Sequence, residues 1–183
     1  KNIYTAMSNT TYPLEIGEFA NTNIDEVSIF NTELSASDVT TIYNSGVPND
    51  ISSLNPLSWW RCGDGDTSPT LTDNGSGGND GTMTNFSTFS TDVPKFNTKS
   101  IALDGVDDSV NIGTTSLGIT TALSVSVWVK TTRATGTFAQ IIGEYRWGVT
   151  TQRNWILYLS NTANRIGFLN YNDDGQRPIN TVV

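Results

Sequence analysis

The chain has no histidine, a single cysteine (Cys62), and 10 basic residues against 18 acidic ones, a formal charge of −8. Each shortage removes a class of function. Without His there is no imidazole to serve as a general base near neutral pH or as a metal ligand. One Cys can form neither an intrachain disulfide nor a zinc-binding cluster. With no His to draw off its proton, Cys62 reads as a small buried hydrophobe rather than a nucleophile. The acidic surplus opposes nucleic acid and anionic membranes as partners, and no basic run offsets it. No apolar stretch reaches the length of a bilayer span, so membrane insertion is not expected.

What is abundant is turn-forming. Ser, Thr and Asn make up roughly a third of the chain and Gly contributes 16 residues, a composition that suits short strands joined by many turns. At 183 residues the chain can hold one sandwich of ordinary size or parts of two. The cleanest strand signal is at 123–129, where Leu123, Val125, Val127 and Val129 share one face, and Ser124, Ser126, Trp128 and Lys130 the other. Ile141 and Ile142, 155–159 and 166–171 predict further strands at meander spacing. Trp59 and Trp60 are neighbours in a strand at 57–61, so one faces a core and the other faces outward.

Residues 24–43, IDEVSIFNTELSASDVTTIY, predict a strand through Val27 and Ile29 and then a short helix near 36–44. Ser35 is its N-cap, Asp38 closes a capping box, and Leu34 with Val39 forms a hydrophobic staple. Val39, Ile42 and Tyr43 are expected to form its apolar face. Residues 44–56, with two prolines and a cluster of turn formers, are the expected linker.

The I-D-E-V strand followed by an L-S-A helix, carried by Asp25, Glu26, Val27, Leu34, Ser35 and Ala36, resembles the closing segment of laminin G-like domains of the concanavalin A-like lectin superfamily. Three more segments are similar to the opening of such a domain. They are the Trp59-Trp60 strand leading to T-D-N-G-S-G-G-N-D-G-T, then IALDGVDDSVNIG at 101–113, then ALSVSVWVK at 122–130. The resemblance implies an antiparallel jelly-roll β-sandwich. It also implies that 1–50 is the C-terminal part of one domain and 51–183 the N-terminal and central part of the next. The alternative is a single permuted sandwich over 1–183.

Two kinds of candidate site follow. Calcium takes six to eight hard oxygen ligands, which Asp-rich, Gly-rich loops can supply. Asp64, Asp66, Asp73, Asp104, Asp107 and Asp108 are such residues. The resemblance adds Asp25 as a ligand of a structural calcium. Aromatic rings can stack on sugar C–H faces beside polar groups, which makes Trp60, Trp128, Tyr145, Trp147 and Trp155 candidates for exposed carbohydrate platforms. Catalysis is not expected: Glu15 and Glu18 are separated by Gly17, and the side chains of Asp25 and Glu26 should point to opposite faces of their strand. The expected function is a non-catalytic carbohydrate-binding or adhesion module of an extracellular, cell-surface or virion protein. Its partners would be a glycan or cell-surface polysaccharide and neighbouring laminin G-like repeats or subunits. The alternatives are a purely structural repeat and, last, a glycoside hydrolase.

Overall fold

Val125, Val127 and Val129 are β-branched at period two, and such a run is favoured where one side can lie on a core. They form β8 (Ser124–Lys130), with Leu123 and all three valines packed on the main hydrophobic core. The structure, a computed structural model, describes residues 12–95, 97–114, 117–119, 121–131, 138–146, 153–160, 165–170 and 181–182. Ahead of β8 come β1 (Leu14–Ile16), β2 (Asn21–Phe30), α1 (Ala36–Tyr43), β3 (Ser58–Trp60), β4 (Thr70–Leu71), β5 (Gly81–Thr84), β6 (Ile101–Asp104) and β7 (Ser109–Gly113). After it come β9 (Ala139–Tyr145), β10 (Arg153–Leu159), β11 (Ile166–Asn170) and β12 (Thr181–Val182).

The strands make two antiparallel sheets, as an all-β sandwich requires. One runs β12-β11-β10-β9-β1-β7-β5-β4, and the other runs β3-β2-β6 with β8 on the opposite flank of β2. Leu14, Ile16 and Ile142 from the first meet Ile24, Val27 and Trp60 from the second in one core. Cys62 is buried there too, and burial pushes its thiol well above the usual range.

Residues early in the chain occupy the interior of both sheets. β1 lies between β7 and β9, and β2 carries β6 on its first half, β3 on its second, and β8 along its other edge. The expected strand through Val27 and Ile29 is therefore hydrogen-bonded to the Trp59 strand. Residues 44–56 are not a free linker: Ile51 is buried against Phe30 and Trp59, and the Leu57 amide donates to the Ile29 carbonyl at 2.8 Å.

The helix has the expected capping box. Ser35 Oγ accepts from the Asp38 amide at 3.2 Å, and Asp38 Oδ2 accepts from the Ser35 amide at 2.9 Å. Such a cap is worth about 1 kcal/mol. Asn44, with φ of 39°, turns left-handed and ends the helix. The apolar face differs from expectation. Ile42 packs with Leu34 on Phe30 and Trp59, while Val39 is 54% exposed and the Tyr43 ring lies along Trp128. The helix rests on the sheet through one edge, so the staple partner of Leu34 is left outside.

Candidate functional site

A β-bulge in β2 builds the most chemically loaded place in the molecule. Asp25 stands opposite Trp128 and Ser28 opposite Ser126, so Glu26 and Val27 together face Val127. Glu26 takes φ of 48°, the left-handed turn that such a bulge uses. Ile24 and Val27 consequently both face the core although they are three residues apart. Strict alternation would have separated Asp25 from Glu26. The bulge instead turns both carboxylates away from the core, which corrects the expectation that they point to opposite faces.

The two carboxylates share one donor. Asn97 Nδ2 donates to Asp25 Oδ2 and to Glu26 Oε1, each at 2.9 Å. Glu26 also accepts from Trp59 Nε1 at 2.6 Å and pairs with Arg61 Nε at 3.4 Å, whose guanidinium lies over the Trp59 ring. Asp25 has no cation of its own among the described residues. Burial pushes its carboxyl up to about 7, with the Asn97 bond opposing the rise and the Glu26 charge adding to it.

Asp25 also opens onto a cleft of about 150 Å³ on the outer face of the smaller sheet, lined by Asn23, Asp92, Ser100, Trp128 and Lys130 among others. Directly opposed residues on neighbouring strands share a face, so the polar pair Asn23 and Lys130 and the polar–aromatic pair Asp25 and Trp128 lie side by side there. Tyr43 stacks on Trp128 at 6.4 Å with the ring planes 9° apart.

The sequence-predicted ligands do not all meet. Of the aromatic residues, Trp128 alone lines this cleft. Trp60 and Trp155 are fully buried, and Tyr145 is 3% exposed, which corrects their assignment as exposed platforms. Trp60 fills the sandwich core and bonds the Asn79 carbonyl, so of the adjacent pair Trp59 is the one on the outer face. Trp147 lies outside the described residues.

The aspartates fall into separate groups. Asp73 accepts from the backbone amides of Trp59, Gly75 and Asn79, and Asp66 from those of Gly63 and Thr72. Both organise the 63–80 loop. Asp64 bonds Thr98. Only Asp104, Asp107 and Asp108 come together, with one carboxylate oxygen of each within 4.8 Å of the others. Asp104 and Asp108 each spend an oxygen on a backbone amide within the turn, leaving their second oxygens and Asp107 as hard donors suited to a divalent cation.

Sequence reading missed Asn23, Asp92 and Asn97. Each is a lone polar residue in a loop or strand, and only their long-range bonds, such as Asn23 Nδ2 to the Asp92 carbonyl at 3.0 Å, mark them. No protein-family model, no curated protein and no solved structure matches the chain.

Proposed function

We propose that the chain is a non-catalytic carbohydrate-binding module, acting in adhesion at an extracellular, cell or virion surface, and that the cleft at Trp128 is its site. The observation that carries the reading is the row Asn23–Asp25 on β2 set against Lys130–Trp128 on β8, an aromatic face with convergent polar groups beside it. The cleft's volume suits one sugar unit of a longer chain rather than a whole oligosaccharide. Residues 1–183 are read as one laminin G-like sandwich in permuted order, a reading supported by the placement of β1 and β2 inside sheets otherwise made of later strands. The turn of Asp104, Asp107 and Asp108 is read as a structural calcium site. Its support is the convergence of the three carboxylates.

The test is a glycan array followed by calorimetry on any ligand found. Trp128→Ala should weaken binding by about tenfold or more, and Trp128→Phe, which keeps a ring, by less. Equal affinity in wild type and Trp128→Ala removes the cleft from the function. A blank array transfers the weight to the second reading, a structural repeat, for which β8 is suited because it pairs β2 alone among the described strands.

A further inference from the structure

We infer that the cleft selects glycans carrying a free amine, through an ammonium held between the Asp25 and Asp92 carboxylates and the Trp128 ring. The inference rests on the glycan reading and narrows it to a ligand class.

The donors of Asn23 and Ser100 are already committed. Asn23 Nδ2 donates to the Asp92 carbonyl at 3.0 Å and to Ser90 Oγ at 3.4 Å, which uses both its hydrogens. Ser100 Oγ donates its single proton to the same carbonyl at 2.7 Å. Lys130 pairs its ammonium with Asp92 Oδ1 through one of three N–H groups, on a side chain that is 64% exposed.

Acceptors remain in excess. Asn23 Oδ1 and Asp92 Oδ2 have no hydrogen bond among the described residues. Each Asp25 oxygen accepts one bond where a carboxylate oxygen has room for two. The excess favours a ligand that donates. An ammonium offers three donors and no acceptor; it meets two acidic groups against one lysine, and beside Asp25, whose carboxyl burial pushes up to about 7, it favours the ionised form. The Trp128 ring adds the negative face of an aromatic, which attracts cations and is strongest for tryptophan.

The alternatives fit less well. A hydroxyl brings no positive charge to Asp25 and Asp92, and a uronate or sulfate would meet like charge from the cleft and from a chain of net charge −8. An N-acetylated amine keeps one N–H, loses the charge, and adds bulk and a carbonyl acceptor.

The experiment compares three oligosaccharides of equal length by calorimetry at neutral pH: a glucosamine oligomer, its fully N-acetylated counterpart and an oligouronate. The glucosamine oligomer should bind about tenfold or more tightly than the N-acetylated one, and the oligouronate should not bind. Asp92→Asn, at an exposed position, and Asp25→Asn should each bring the ratio toward one, and Trp128→Ala should weaken binding of the amine by about tenfold or more. If the N-acetylated oligomer binds as tightly as the amine, the inference falls and the glycan reading stands. If the preference survives in both Asp variants, it belongs to the overall acidic surface and the inference falls. If none of the three binds and the array is blank, both fall together.

Discussion

At Asp25, burial and charge act against each other. The side chain belongs to a residue 2% exposed, and its carboxyl is held near 7 instead of the ordinary 3.8. A raised folded-state value means that the native protein holds this proton more tightly than the unfolded chain does. The associated stability is fully present below about pH 4 and is lost as pH rises through about 7. A shift of this size corresponds to something on the order of 4 kcal/mol across that window, the cost of an ionised carboxylate with no cation of its own. Asp25→Asn should remove this part of the pH dependence, since a neutral amide has no proton to lose. Melting temperatures at pH 5 and pH 8 check it: wild type should lose clearly more stability than the variant between the two. Equal losses would show that Asp25 ionises freely in the native state.

At the scale of the element, the bulge in β2 and the β6–β7 hairpin place most of the chemistry. The bulge brings Asp25 and Glu26 onto one face and aligns Asp25 with Trp128, so the cleft depends on an extra residue in one strand. The hairpin turn holds Asp104, Asp107 and Asp108 together, and their mutual repulsion has no basic partner among the ion pairs of the described residues. Calcium would relieve it by mass action on the native state. With millimolar calcium the melting temperature should rise by several degrees relative to chelated protein, and Asp107→Asn should remove most of the rise. A melting temperature indifferent to chelation would leave these residues as turn formers.

At the scale of the whole molecule, the two sheets are closed by strands that come first in the chain. Among the described strands β2 alone pairs with three others and β1 joins the two halves of the larger sheet, so their removal would expose Val125, Val127 and Val129 and leave two open gaps. A chain of 51–183 expressed alone should therefore lack a cooperative melt and bind a hydrophobic dye, whereas 1–183 should melt cooperatively. A cooperative melt of 51–183 would show that the later strands are sufficient, as the tandem reading of two domain parts requires.

Much of this was legible beforehand. The period-two valines of β8, the opposed faces of Trp59 and Trp60, and the Ser35–Asp38 cap depend on neighbours in sequence, so the sequence by itself determined the strand content, the helix and the sandwich class. The site was less legible. Strict alternation misplaced Asp25 and Glu26 because a bulge is decided by pairing with another strand. It also gave no means of choosing which of two adjacent tryptophans would be buried. The convergence of Asn23, Asp25, Asp92 and Trp128 on one cleft, and of Asn97 on Asp25 and Glu26, was decided only by the tertiary structure, since those contacts join residues about 70 to 100 positions apart through the packing of loops and strands on one sheet face.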